Sequence, residues 1–202
     1  MKRILLFFLI GVVAANCSAV LLDLNAPDWR DDEGTTYQEW DFLTDANPAD
    51  PDTYLNDYGV PSVVVAGEYP ITRWKLDDHE YDGVWVFDDY MKIDIPNVDV
   101  ENPYKEILLQ IVYWAEELDM DVLPTPSSVT LVDEQVLDGG YIYAAYSIII
   151  EPNPEMESIY IRPRSCTIYV DSLIIDTICI PEPMTIGFLG LGGALLALKR
   201  RR

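Results

Sequence analysis

From Pro61 onward the sequence breaks into short β-branched and aromatic runs separated by turn clusters, and this rhythm restricts the fold more than any other feature of the chain. The runs are Ser62 to Ala66, Ile71 to Leu76, Val84 to Phe87, Met91 to Ile95, Ser128 to Leu137, Tyr141 to Ile150, Ser158 to Arg162 and Thr167 to Ile178. Branched and aromatic side chains suit a pleated, half-buried surface. Asp82-Gly83, Asp138-Gly139-Gly140 and Glu151-Pro152-Asn153-Pro154 supply turns between them. Several short strands at this spacing predict an all-β fold, an antiparallel β-sandwich of jelly-roll type. Residues 20 to about 60 are rich in Asp, Asn, Pro, Thr and Tyr and lack a helical period. They are expected to be loops around a few short strands, anchored by Trp29, Trp40 and Phe42.

The stretch from Asn102 to Leu118 admits two readings. Pro103 in a first turn after Asn102 would start a capped helix. Ile107, Leu109, Ile111 and Tyr113 set against Leu108, Gln110, Val112 and Trp114 would equally make a strand apolar on both faces, as a core strand is. The β-rich neighbours favour the strand.

With 202 residues the chain has room for one folded domain of ordinary size. Its net charge of −22 understates how acidic that domain is, because six of the 13 basic residues are Lys2, Arg3 and Lys199 to Arg202. All 35 acidic residues lie between Asp23 and Glu182, against seven basic ones, a net −28 over that stretch. Such a surface repels phosphate backbones, so nucleic acid is excluded as a partner.

The two ends read as addresses. Residues 1–19 have a basic start, an apolar run from Ile4 to Ala15 and small residues near its end, the pattern of a secretory signal peptide cut after Ala19. The apolar run is too short to be a permanent span, which takes about 20 residues. At the other end come Pro181-Glu182-Pro183, an apolar stretch rich in Gly and Leu from Ile186 to Leu198, and Lys199-Arg200-Arg201-Arg202. A helix over Met184 to Leu198 would reach about 22 Å at 1.5 Å per residue, short of the roughly 30 Å hydrocarbon core. It would be a marginal anchor, with the basic cluster held on the cytoplasmic side and the acidic domain outside the inner membrane. The prolines keep the preceding chain out of regular structure and reachable by a membrane-bound enzyme.

This order of motif, short apolar helix and basic cluster resembles the PEP-CTERM sorting signal of exported bacterial proteins. The resemblance covers 181–202 and no more; Met184 stands where a small residue is usual. It implies processing by an exosortase, a membrane-embedded cysteine transpeptidase-type enzyme of Gram-negative bacteria that make exopolysaccharide. The expected organisation is therefore a signal peptide at 1–19, a β-sandwich domain at 20–180 and a sorting tail at 181–202. The expected life of the protein is an inner-membrane precursor, then a protein of the cell surface or extracellular matrix associated with polysaccharide.

Catalytic chemistry finds little support in the residues. His79 is the only histidine and lies in the acidic run Asp77-Asp78-His79-Glu80, so catalysis by a His base or zinc binding has few ligands to use. The chain is expected not to be an enzyme, although acidic pairs keep a glycan hydrolase or lyase as a third reading. No cofactor is implied beyond structural calcium, for which Asp45, Asp50, Asp52, Asp77 and Asp78 concentrate hard oxygen ligands in loops without EF-hand spacing. Aromatic rings stack on sugar faces, which makes Trp40, Trp74 and Trp85 candidates for a carbohydrate-binding module, the second reading. Cys166 and Cys179 remain after signal cleavage. One continuous strand between them would hold them about 43 Å apart at about 3.3 Å per residue, far beyond disulfide reach, so no bridge is expected and Cys179 is expected to be free.

Overall fold

The computed structural model describes residues 23–66, 71–76, 79–97, 104–114, 118–164 and 167–180, with 71–76 and 79–82 described by backbone alone. The expected signal peptide and sorting tail lie outside the described residues. So do Cys166, Asp77 and Asp78.

The described residues form an all-β fold of antiparallel sheets. The strands are β1 (Thr35–Trp40), β2 (Thr53–Leu55), β3 (Ser62–Val65), β4 (Ile71–Leu76), β5 (His79–Phe87), β6 (Met91–Pro96), β7 (Tyr104–Trp114), β8 (Leu118–Leu123), β9 (Ser128–Val136), β10 (Ile142–Ile150), β11 (Met156–Pro163) and β12 (Ile168–Ile180). One sheet runs β2-β1-β12-β7-β10-β9 and takes in the β4–β5 hairpin through β5. The other runs β3-β6-β11-β8. From β6 onward the chain crosses between sheets again and again, with β6, β8 and β11 in the smaller and β7, β10 and β12 in the larger.

Alternation places the core. Met91, Ile93 and Ile95 of β6 point inward with Ile159 and Ile161 of β11 and Val63 and Val65 of β3. They meet Ile107, Leu109 and Ile111 of β7 and Leu173 and Ile175 of β12 from the facing sheet. Burying each such side chain contributes about 1.5–3 kcal/mol. The segment that read two ways is the strand β7. Its outer positions are buried as well, Gln110 at 2% and Val112 at 4% exposure. A second small cluster of Val112, Tyr143 and Ala145 covers one part of that outer face. The chain from Asp23 to Arg30 straps over another part: Asn25 N donates to Gln110 Oε1 at 3.1 Å, Asn25 Nδ2 to Tyr143 Oη at 2.8 Å and Gln110 Nε2 to Asp23 Oδ1 at 2.9 Å.

β12 is the organising strand. It pairs with β7 along one edge; along the other it pairs with β5 over Ile168 to Val170 and with β1 from Leu173 to Ile178. A bulge at Asp171 marks the change of partner. The same strand spans Ile168 to Ile180 without a turn, as the argument against a disulfide required, and Cys179 is a free thiol.

Toward the C-terminal end of β12 the interior turns polar. Thr36 and Thr177 share a hydrogen bond of 2.7 Å, Gln38 Nε2 donates to Ile175 O at 2.8 Å, and Lys105, Glu157 and Asn97 follow beyond them, all buried.

Candidate functional site

The aromatic candidates separate into core and unknown. Trp40 is 1% and Trp85 0% exposed, so neither ring offers a face to a sugar, and that expectation is corrected. Both sit at inward strand positions where the large sheet meets its partner, and the indole is the largest apolar group available to fill that space. Trp74 is described by backbone alone. Among the described residues Trp114 is an exposed indole, at 38%, packed edge-on against Tyr169 at 5.1 Å.

The acidic candidates are dispersed. Asp45, Asp50 and Asp52 are all exposed. Asp52 Oδ2 accepts a 2.8 Å hydrogen bond from the Asp41 backbone N and lies beside the Asp41 carboxyl, whose pKa is raised first by burial and then by Asp52. Among the described residues no group of three or more His, Cys, Asp or Glu side chains is placed to hold a metal ion.

A concentrated set of chemically useful side chains lies instead on the outer face of the small sheet. The alternation that sends Met91, Ile93 and Ile95 inward sends Lys92 and Asp94 outward, and β11 does the same with Ser158, Tyr160 and Arg162. Pairing of β11 with β6 and β8 then brings Tyr160 opposite Lys92 on one side and Asp121 on the other. Tyr90, just before β6, sets its ring 5.7 Å from that of Tyr160. The Arg162 guanidinium stands over the Tyr160 ring at 5.5 Å and Lys92 Nζ at 6.0 Å, both within cation–π range.

Carboxylates tie this face together. Lys92 Nζ is 2.7 Å from Asp94 Oδ2, and that hydrogen bond is the main reason the lysine pKa is raised. Ser158 Oγ donates to Asp94 Oδ1 at 2.5 Å; Arg162 reaches Asp121 at 3.2 Å and Arg164 reaches Asp119 at 3.7 Å. Three of the seven basic residues in the acidic stretch therefore share one face. Half-buried rings flanked by paired cations and carboxylates suit a hydroxylated polymer: ring edges and faces meet C–H surfaces, and the charged groups exchange hydrogen bonds with hydroxyls. None of Tyr90, Lys92, Tyr160 or Arg162 stood out in the sequence. Each looked like an ordinary solvent-side strand residue, and the strand pairing that unites them joins segments more than 60 residues apart.

No protein-family model matches the chain, and no curated protein or solved structure matches it.

Proposed function

We propose that the chain is an exported, exosortase-sorted protein of the cell surface or extracellular matrix, non-enzymatic and associated with exopolysaccharide. The observation that carries this reading is the adjacency of Pro181-Glu182-Pro183, the short apolar stretch from Ile186 to Leu198 and the basic cluster Lys199 to Arg202. It is supported by where the last described strand ends. β12 carries ordered pairing to Ile180, the residue before the motif, so processing in the tail spares every described strand. A jelly-roll sandwich is the finer reading of the fold. The neighbour order β1-β12-β7-β10 facing β6-β11-β8, reached by repeated crossing between sheets, favours it.

The test is mass spectrometry of the native C-terminus in a strain with an active exosortase. A terminus within or near Pro181 to Met184 supports the proposal. An intact terminus at Arg202 refutes it and leaves a plain tail anchor.

Binding of a particular polysaccharide is the second reading, and the Tyr90–Tyr160 face favours it. Retention of the protein on a column of exopolysaccharide, compared with the bare matrix, tests it. Equal passage through both columns refutes it.

A further inference from the structure

The polar end of the interior holds an arrangement that a structural ion pair does not need. Lys105 on β7 and Glu157 on β11 face each other across the two sheets, with Nζ 2.9 Å from Oε1 and side-chain exposures of 1% and 0%. Isolating two charges this completely costs several kcal/mol per ion before their attraction is counted. The same Glu157 Oε1 accepts from Asn97 Nδ2 at 3.2 Å. One carboxyl oxygen thus bridges an amine and a carboxamide nitrogen. Asn153 Oδ1 at 2.6 Å and Pro154 O at 2.7 Å also lie around Asn97 Nδ2, so its two hydrogens are shared among three acceptors and the plane of the carboxamide is fixed. Cys179, paired directly opposite Lys105 in the β7–β12 ladder, places its thiol 3.4 Å from Asn97 Oδ1.

We propose that Lys105 and Asn97 become joined by an intramolecular amide bond, formed after folding with Glu157 as the proton shuttle. The amine at 2.9 Å and the carboxamide nitrogen at 3.2 Å meet at one buried carboxyl oxygen, which brings nucleophile, acid–base group and electrophile to a single point of the interior. Glu157 first holds the proton that Lys105 Nζ gives up. The Nζ lone pair then attacks Asn97 Cγ, and the carbonyl electron pair moves onto Oδ1, where the Cys179 S–H is placed to donate. Glu157 passes its proton to Nδ2 and takes one from the newly bonded Nζ. The Cγ–Nδ2 bond breaks and ammonia leaves, so Glu157 ends protonated, as it began the attack. Atoms balance without oxidant or cofactor: amine and carboxamide give amide and ammonia.

Two features favour the proton-holding form of Glu157 that this chemistry requires. Its Oε2 is buried and makes no hydrogen bond, a poor place for half of a carboxylate charge. Burial is also the largest influence on its pKa, and it pushes that value upward against the opposing pull of Lys105. The product replaces a buried ion pair with a neutral amide and ties the end of one sheet to the other across residues 97–105. For a protein exposed outside the cell this link would resist unfolding and proteolysis.

The full-length protein, purified folded and then denatured and digested, decides the matter by peptide mass spectrometry. The expected result is a branched peptide joining Lys105 to Asn97, with a mass one ammonia below the sum of its parts. This peptide should be absent from Lys105→Arg and Asn97→Ala and lost or strongly reduced in Glu157→Gln. Recovery of unmodified linear peptides containing Lys105 and Asn97 from the folded wild type overturns the proposal, and that reading needs no variant to fold. A link to Asn153, or conversion of Asn97 to Asp without a link, overturns the assignment equally. Undiminished linkage in Glu157→Gln removes the shuttle role. The measurement does not depend on the tail, so its outcome is separate from that of the sorting reading.

Discussion

The Phe42 ring packs on the Trp85 indole with centroids 4.9 Å apart and planes tilted by 39°, and Phe42 holds a left-handed backbone with φ 56° to do so. Trp85 Nε1 in turn donates to Thr44 O at 2.8 Å, so the loop after β1 is folded over the indole and fastened to it. A residue that read as a sugar-stacking platform is a peg for its own loop. Trp85→Ala should lower the unfolding free energy by about 3–5 kcal/mol, measured by denaturant melting. Trp85→Phe, which keeps the ring contact and drops the hydrogen bond, should cost much less, about 1 to 2 kcal/mol. Equal losses in the two variants would show that the hydrogen bond, not the ring, fastens the loop.

Asp171 occupies the bulge where β12 changes partner, and burial followed by the nearby Asp41 charge raises its pKa to about 6. In the unfolded chain it returns to the ordinary value of 3.8. Between these values the folded state binds the extra proton, so this residue's stabilising contribution is complete below pH 3.8 and is lost as pH rises through about 6. Asp171→Asn should therefore stabilise the protein above pH 6 by on the order of 2 kcal/mol and have little effect near pH 4. Melting temperatures of the two proteins at pH 4 and pH 7.5 check the sign. A gain of the same size at both pH values would contradict it.

Arg30 is pinned between Asp176 on the large sheet's outer face and Asp23 of the strap that crosses it. It donates from Nε to Asp176 Oδ1 at 2.5 Å, forms a second pair with Asp23, and lies over the Tyr37 ring at 4.5 Å. The Asp176 side chain has no solvent exposure. Arg30→Ala leaves that carboxylate buried and uncompensated, which typically costs 3–5 kcal/mol. Pairing the change with Asp176→Asn should return a large part of the loss. A double variant as unstable as the single one would show that packing on Tyr37, not charge, dominates.

These two carboxylates illustrate what a single sequence carries and what it withholds. Most strands were legible from β-branched runs between turn clusters, because a sheet surface selects those side chains directly. β8 was missed. Its Leu-Asp-Met-Asp-Val-Leu pattern alternates, but Asp119 and Asp121 on the outer face hide it beside the stronger run of β7. β7 itself was ambiguous because its outer face is covered by the 23–30 strap, a contact between segments some 85 residues apart. The candidate sites failed for a related reason. Tryptophan signals burial and sugar stacking with the same letters, whereas Tyr160 gains meaning only from Lys92, Tyr90 and Arg162 beside it. The Lys105–Glu157 pair was equally invisible, since each is a charged letter in a strand and only the sheet-to-sheet packing turns them inward.

If the outer face of the small sheet contacts polysaccharide, Tyr160→Ala should weaken retention on the exopolysaccharide column severalfold. Its stability cost should stay small, because the ring is half-buried at an outward position. Trp114→Ala, at an exposed position on the other sheet, serves as the control and should retain normally. Unchanged retention in Tyr160→Ala would remove the face from consideration.

The sorting reading demands that the tail be separable from the fold, and the topology makes a sharp distinction between two nearby cut points. A chain ending at Ile180 keeps all of β12, including the pairing of Cys179 with Lys105 and of Ile180 with Tyr104. It should melt within about 1 kcal/mol of a form carrying the motif, since no described contact is lost. A chain ending at Ser172 loses the strand segment that pairs with β1 on one side and β7 on the other, together with the buried Leu173, Ile174 and Ile175. Three buried aliphatic side chains at about 1.5–3 kcal/mol each, together with both ladders, make that loss comparable to the whole 5–15 kcal/mol stability of an ordinary domain, and the product should not fold. Because β12 lies between other strands, the large sheet cannot complete until the chain has emerged through Ile180. Circular dichroism and thermal melting of the two truncations give the answer. A folded product ending at Ser172 would contradict the central role of β12, and an unfolded one ending at Ile180 would mean that the motif belongs to the domain and cannot be released by processing.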